Sequence, residues 1–524
     1  MLFTNKIIEK RPRKLYKADF DVASWNNVGN ALNELIEANI SSVNDLVELI
    51  EKYSELSFII EETFAWKYIK MTCNADKEEY SKEYNDFYKN IMAKSQPYDF
   101  KFKKKIYDSK YKNELPESFN HFIRIISVDI ELYREENIVL MVEENELSNK
   151  YGEMMSKLTV EFEGKEQTLI QMGKYLKEKD RELRKNAWSK VFDKVRESSK
   201  ELNDLYTQLL QIRVKIAKNA DFENYRDYMH VEKGRFDYTV EDIKEFHSSV
   251  ETEIIPFLKA INKERKEKLK LDNLNPWDMD VDPDGIILKP FKNADELVDK
   301  AIKILHNLSP EFGDNLEMMK NSGFLDLENR KGKAPGGYCY PLSEHSAAFI
   351  FMNAIGLNSD VRTLLHESGH AMHAYSTSDQ KIYQYKSTPS EVAELASMAM
   401  ELLTVDLLTE YYPNSEDFKK AKRDQIEGTL LFLPWAMIVD EFQQWIYTNP
   451  ENTQNERENY FCELMDRFNA GEDWNNFEEE KKVRWLRQLH IFEVPFYYIE
   501  YAIAQLGALA IYKNYKENPE TALK

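Results

Sequence analysis

Between Asp180 and Ala217 the chain runs without a glycine or a proline, and its apolar residues recur at helical spacing. Leu183, Ala187, Trp188, Val191, Phe192 and Val195 form one stripe, continued by Leu202, Leu205, Tyr206, Leu209 and Ile212. A stripe of that period buries one face of a helix and leaves the other to water. The segment is therefore expected to fold as one or two long helices, with its aromatic residues in a core. The rest of the chain follows the same rule. Its 524 residues hold 16 glycines and 16 prolines, which leaves few turns and predicts a mainly α protein.

The periodicity predicts further helices over residues 26–38, 42–56, 117 to 130 or 136, 138–151, 240–270, 294–307 and 311–322. Ser42 or Asn44 can cap the second of these. Pro256 should kink the segment 240–270, because proline has no N–H to give the helix ladder. One stretch departs from the pattern. Leu158, Val160 and Phe162 alternate with polar residues, and Glu163-Gly164-Lys165 supplies a turn, which together predict a β-hairpin. The hairpin is taken to close an N-terminal helical subdomain, 1–170, ahead of a helical catalytic domain, 171–524. The acidic connection 274–285 lacks the Asp spacing and terminal Glu of a calcium loop. Residues 332–337 are the most glycine-rich and open the part where reactive side chains gather.

Charged residues make up 31% of the chain and apolar residues 42%, the balance of an ordinary globular protein. A net charge of -21 argues against nucleic acid as a partner, since phosphate binding needs a basic face. No stretch has the apolar length of a membrane span or a signal peptide, so no membrane partner is expected. Cys73, Cys339 and Cys462 are odd in number and far apart, which points away from a disulfide framework and toward the cytoplasm.

Chemistry concentrates at His366-Glu-Ser-Gly-His370, the spacing H-E-x-x-H. Residues four apart on a helix share a face, so both imidazoles can grip one metal ion. Glu367 is then placed to take a proton from a water on that metal. A catalytic zinc needs a third protein ligand and an open position. Other zinc-peptidase spacings would put that ligand at 376, 389 or 390, but Ser376, Pro389 and Ser390 stand there. Downstream, Glu391, Glu394 and Glu401 lie on roughly one face of a helix that Pro389 can start. Three carboxylates among Val, Ala, Leu and Met are costly unless paired or on a metal. Glu394 is the expected ligand, with Glu401 or Glu391 accepting from a ligand imidazole. Gly369 leaves room for close helix packing. Phe349–Asn353 reads as a short strand, either in the core or with a free edge for an extended peptide. His345 and His373 have no assigned role.

These residues resemble the thimet oligopeptidase / oligoendopeptidase F family of zinc peptidases, in its Pz-peptidase-like branch. The resemblance is carried by His366-Glu-Ser-Gly-His-Ala-Met-His373 and by Pro389-Ser-Glu-Val-Ala-Glu-Leu-Ala-Ser-Met-Ala-Met-Glu401, with Gly337-Tyr-Cys-Tyr340, Phe351-Met-Asn353 and Asp360-Val-Arg-Thr363. Upstream, Arg235-Phe-Asp-Tyr-Thr239 and Asn275-Pro-Trp-Asp278 are similar to the same branch. The family's third ligand opens E-x-x-S-x-x-x-E, a pattern that Glu394, Ser397 and Glu401 satisfy. The resemblance implies a multi-helix, clam- or saddle-shaped fold, small β elements beside the active site, and one Zn²⁺ deep in a substrate channel that admits short unstructured peptides. It also implies a histidine and a following tyrosine as donors to the oxyanion of peptide hydrolysis, which makes His490, Tyr497, Tyr498 and Tyr501 the candidates. The expected activity is zinc-dependent oligoendopeptidase. A dipeptidyl carboxypeptidase on the same scaffold and a non-catalytic peptide-binding protein are the alternatives.

Overall fold

The structure is a computed structural model and describes residues 7–286, 288–334, 336–386 and 388–523. Helices dominate. The described residues hold five short strands: β1 (Thr159–Phe162), β2 (Lys165–Thr168), β3 (Leu325–Glu328), β4 (Tyr338–Leu342) and β5 (Ala347–Ala354). The stripe over 180–217 becomes two helices, Arg181–Glu197 and Ser199–Asn219, joined at Ser198. Ser42 caps Val43–Cys73 through a reciprocal pair with Asp45. That helix runs well past residue 56, because Ile59, Ile60, Ala65 and Ile69 continue its buried stripe. The 240–270 segment divides into Val240–Ser249, a π-helical turn Val250–Ile254, and Ile255–Lys268. Pro256 stands in the first turn of the last piece, where its missing N–H costs least.

Backbone contacts divide the chain into two compact units, each assembled from separate segments. The first comprises Met1–Glu131, Leu288–Ile426 and Ala504–Lys524; the second comprises Leu132–Ile287 and Glu427–Ile503. The hairpin near residue 170 falls inside the second unit.

In the first unit a three-stranded sheet has the order β3-β5-β4. β5 runs parallel to β3 and antiparallel to β4, with Tyr338 opposite Phe351 and Leu342 opposite Ala347. Of the two readings of Phe349–Asn353, the core strand holds and the free edge does not, since β5 is flanked on both sides. The physical reason lies in its composition: Ala347 to Met352 are all buried, as suits a central strand rather than an edge. Lys333, from the glycine-rich stretch, buries its ammonium and donates to the carbonyls of Asp326, Glu328 and Met352 and to the Asp326 carboxylate. It thereby ties β3 to β5. The helix Asn358–Ser376 lies against this sheet and buries Val361, Leu364, Leu365, Ala371 and Met372 in the same core.

In the second unit the long helices close on an aromatic cluster. Trp188 and Trp277 each meet the Phe477 ring edge-on, at 5.4 and 5.0 Å between centroids. The Asn275–Asp278 motif serves this packing. Asp278 is fully buried and accepts from Arg181 and Arg184 at 2.8 and 2.7 Å. Among the described residues no helix is long and apolar enough to cross a membrane.

Candidate metal centre

The helix carrying both histidines begins where Asp360 reaches back. Its Oδ2 accepts the N–H groups of Ile355, Gly356 and Leu357, each at 2.8 Å. Those donors have no partner inside the helix, so the carboxylate fixes where the first turn starts. Buried Leu364, Leu365, Ala371 and Met372 then set the helix's rotation, and His366 and His370 project from one face with ring centroids 5.0 Å apart.

Gly369 explains how the third residue arrives. A Cβ at this position would lie 2.5 Å from the Ala396 carbonyl oxygen and 2.5 Å from Ser397 Cα. The two helices touch backbone to backbone here, which only glycine permits. The partner segment is not the continuous helix expected after Pro389. It consists of Ser390–Ala393 and Leu395–Leu403, joined at Glu394 with φ -95° and ψ 0°. The break falls on the candidate ligand itself. Ser397 Oγ donates to the Glu394 carbonyl at 2.9 Å and to its Oε2 at 3.0 Å, so the joint and the carboxylate are held together. The side chain of Glu391 lies outside the described residues.

His366 Nε2 stands 3.1 Å and His370 Nε2 3.3 Å from the same Glu394 oxygen, Oε2. His366 Nδ1 is 2.7 Å from Glu401 Oε1. A carboxylate only accepts, so Nδ1 donates to Glu401 and Nε2 donates to Glu394 while the ring is charged; a metal ion would take the place of the Nε2 proton and meet the lone pair beneath it. Three electron-pair donors thus face one point. Two imidazoles and a carboxylate fit a zinc ion there, and the orientation of His366 by Glu401 is the support such a ligand needs. Arg362 Nε and Gln425 Nε2 hold the other Glu401 oxygen at 2.9 and 2.6 Å. Arg362 precedes His366 by one helical turn, so its role was readable from spacing, whereas nothing in the sequence pointed to Gln425.

The electrostatics agree. Burial alone would lower His366, yet hydrogen bonds to Glu394 and Glu401 lift it to about 10. Burial would raise Glu394, but the two histidines hold it well below the usual carboxylate range. The site draws positive charge to a point among acidic groups. Glu367 behaves differently. It is buried, its Oε2 has no hydrogen-bond partner, and burial raises its pKa. His345 is accounted for by a hydrogen bond from its Nδ1 to the carboxylate of buried Glu62. A second trio, His306, Asp314 and Glu317, also brings ligand atoms within 4.8 Å of one another. His306 there spans two helices, with Nδ1 on the Ile302 carbonyl and Nε2 on Asp314, each at 3.0 Å.

His490, Tyr497, Tyr498 and Tyr501 gather in the second unit, whereas His366, Glu367, His370, Glu394 and Glu401 gather in the first. The His490 ring lies 4.8 Å from Tyr498, 5.9 Å from Tyr501 and 6.5 Å from Tyr497, centroid to centroid. Buried groups pin the backbone that carries them. Arg213 donates to the carbonyls of Ile491 and Phe492, and Tyr151 donates to that of Leu486. Phe496 is left-handed at φ 61°, which a bulky side chain rarely adopts. Gln443 Oε1 accepts its N–H at 3.0 Å and Arg235 donates to its carbonyl at 2.6 Å. Arg235 also pairs with buried Glu500, so the Arg235–Thr239 motif supports this turn. Burial pushes His490 down to about 4 and Tyr498 up to about 12, which leaves both neutral.

A family model described as Peptidase family M3 matches residues 174–523, and one described as Peptidase M3 N-terminal domain matches residues 17–133. An oligoendopeptidase F homolog of Borreliella burgdorferi is 26% identical over 360 residues, which are 67% of this chain and 59% of that protein. The chain thus spans less than two thirds of that relative. The plasmid oligoendopeptidase F of Lactococcus lactis subsp. cremoris is 24% identical over 491 residues, 88% of this chain and 79% of that protein. Among solved structures, Pz peptidase A with inhibitor 2 is similar at a TM-score of 0.85 and 27% identity, covering 97% of this chain and 91% of that one.

Proposed function

The chain belongs to peptidase family M3, and from that premise we propose that it is a zinc-dependent oligoendopeptidase acting on internal bonds of short unstructured peptides. One observation carries the reading. His366 Nε2 and His370 Nε2 converge on Glu394 Oε2 while the buried carboxylate of Glu367, next in sequence to the first histidine, has an oxygen without a partner.

His366, His370 and Glu394 would hold one Zn²⁺ per chain. When bound, the ion supplies Lewis acidity, polarising a carbonyl and making a water acidic enough to give up a proton near neutral pH. Glu367 takes that proton and passes it to the leaving amine. Its raised pKa suits a group that must both accept and release a proton. Glu401 keeps the His366 proton on Nδ1 and the ring in its ligating orientation. His490, with Tyr497, Tyr498 and Tyr501 beside it, supplies neutral donors for the oxyanion that develops on the carbonyl. The substrate channel that the family implies would exclude folded proteins. The cytoplasm is the proposed compartment, where three free cysteines stay reduced.

Glu367→Gln tests the mechanism. The variant is expected to keep its zinc, measured by atomic absorption, and to lose hydrolysis of a quenched fluorescent peptide by at least about a thousand-fold. Wild-type turnover in that variant sinks the proposal. Mass-spectrometric mapping of cuts in one short peptide is expected to show internal cleavage; removal of C-terminal dipeptides alone would make it a dipeptidyl carboxypeptidase.

A further inference from the structure

His490 Nδ1 lies 2.7 Å from Gln488 Nε2, and Gln488 Oε1 lies 2.9 Å from Trp435 Nε1. The direction of this chain is fixed at one end. An indole nitrogen only donates, so the amide face it meets is the carbonyl oxygen. The amide nitrogen of Gln488, also only a donor, is therefore turned toward His490. Nδ1 must accept, and the ring proton is left on Nε2. Packing holds the indole in place: Arg484 stacks over the Trp435 ring at 4.4 Å, and Phe461 meets it edge-on at 6.1 Å.

We infer that Gln488, oriented by Trp435, is a positioning residue that locks His490 in its Nε2–H tautomer and so makes it a hydrogen-bond donor. This rests on the reading of His490 as an oxyanion donor. The opposite tautomer would aim a lone pair at developing negative charge and would repel it. A donor that must act without ionising also needs neutral surroundings. The rings facing His490 are those of Tyr497, Tyr498 and Tyr501. Lys233 stacks over the Tyr497 ring at 5.4 Å and Arg484 over Trp435 at 4.4 Å. Burial accordingly depresses the His490 pKa. Gln488 and Trp435 are 53 residues apart in sequence, so no local motif signals the relay.

The test uses the whole, metal-loaded chain with ¹⁵N-labelled histidine. Imidazole ¹⁵N–¹H correlation spectra report the tautomer independently of activity. The His490 signals, identified by their loss in His490→Phe, are expected to show the proton on Nε2 and a bare Nδ1 from about pH 5.5 to 8. Gln488→Glu offers Nδ1 a carboxylate acceptor. It is expected to move the proton to Nδ1 or charge the ring, and to bring a new ionisation into the neutral range of the kcat profile. It should lower kcat about 100-fold with KM within about twofold. Trp435→Phe frees the amide to turn, and should give mixed tautomers with an intermediate kcat. A wild-type spectrum with the proton on Nδ1 overturns the proposal, as do Gln488→Glu spectra and pH profile that match wild type. If His490→Phe keeps wild-type kcat while the spectra come out as expected, the oxyanion role falls and the tautomer assignment stands.

Discussion

His366 and His490 are the same residue in opposite surroundings. His366 sits between two carboxylates that lift its pKa to about 10, whereas His490 sits among phenol rings where burial drops it to about 4. The first region gathers acidic groups that attract a cation. The second offers donors that stay uncharged. Peptide hydrolysis needs both kinds of help, and a single environment cannot supply them, because carboxylates that draw in a metal would also protonate a neighbouring imidazole.

The largest expected effect separates the two regions by metal content. Glu394→Ala should abolish stoichiometric zinc and reduce peptide hydrolysis to background, since two histidines alone make a poor zinc site. His490→Phe should keep its zinc and lose about 100-fold in kcat. Zinc loss in both variants, measured by atomic absorption after gel filtration, would break the contrast.

Gly369→Ala sharpens the contrast from the packing side. Its methyl would enter the contact with Ala396 and Ser397, so the helices must part. The expected cost is about 2–3 kcal/mol of stability, read by urea denaturation. Weaker zinc binding should accompany it, because Glu394 sits on the displaced segment. The His490 tautomer spectrum should not change.

The smallest effect concerns a third histidine, which shows that burial in the second unit does not by itself produce a neutral ring. His247 is buried with Nε2 3.0 Å from Asp440 and Nδ1 3.4 Å from Glu441. Burial alone would lower its pKa, but those two carboxylates raise it to about 9 from the ordinary imidazole value of 6.5. A folded-state pKa above the unfolded one stabilises fully below about 6.5 and is lost as pH rises through about 9. Relative to His247→Gln, the wild type should therefore lose on the order of 1–3 kcal/mol in urea unfolding between pH 6.5 and 9.5. Parallel pH dependence in the two proteins would show that the ring is not charged.

What the sequence made readable follows the range of each interaction. The H-E-x-x-H spacing is a property of one helix, and Glu394 could be put forward because the candidates lay within one short segment. The same locality predicted the helices, the hairpin and the role of Gly369. The break at Glu394 escaped periodicity, which reads apolar spacing and not the side-chain contact that Ser397 makes with the Glu394 backbone. The place of β5, core or edge, stayed open because the strands on either side, β3 and β4, announce themselves weakly in a stretch rich in turns. Phe496 gave no sign of its left-handed backbone, since the groups that hold it, Gln443 and Arg235, are remote in sequence.

The contact at Gly507 also bears on when the proposed metal site can form. A Cβ there would come within 2.6 Å of Leu395 Cδ1, so the helix Tyr498–Glu517 packs closely on the residue that follows Glu394. Ribosomes deliver a chain from its N-terminal side, and segments fold as their partners emerge. His366, His370 and Glu394 are all made well before residue 507. Their supporting contact therefore waits for the later stretch that carries Gly507, and until it emerges the nascent chain holds the proposed peptidase site without the packing that keeps Leu395 in place.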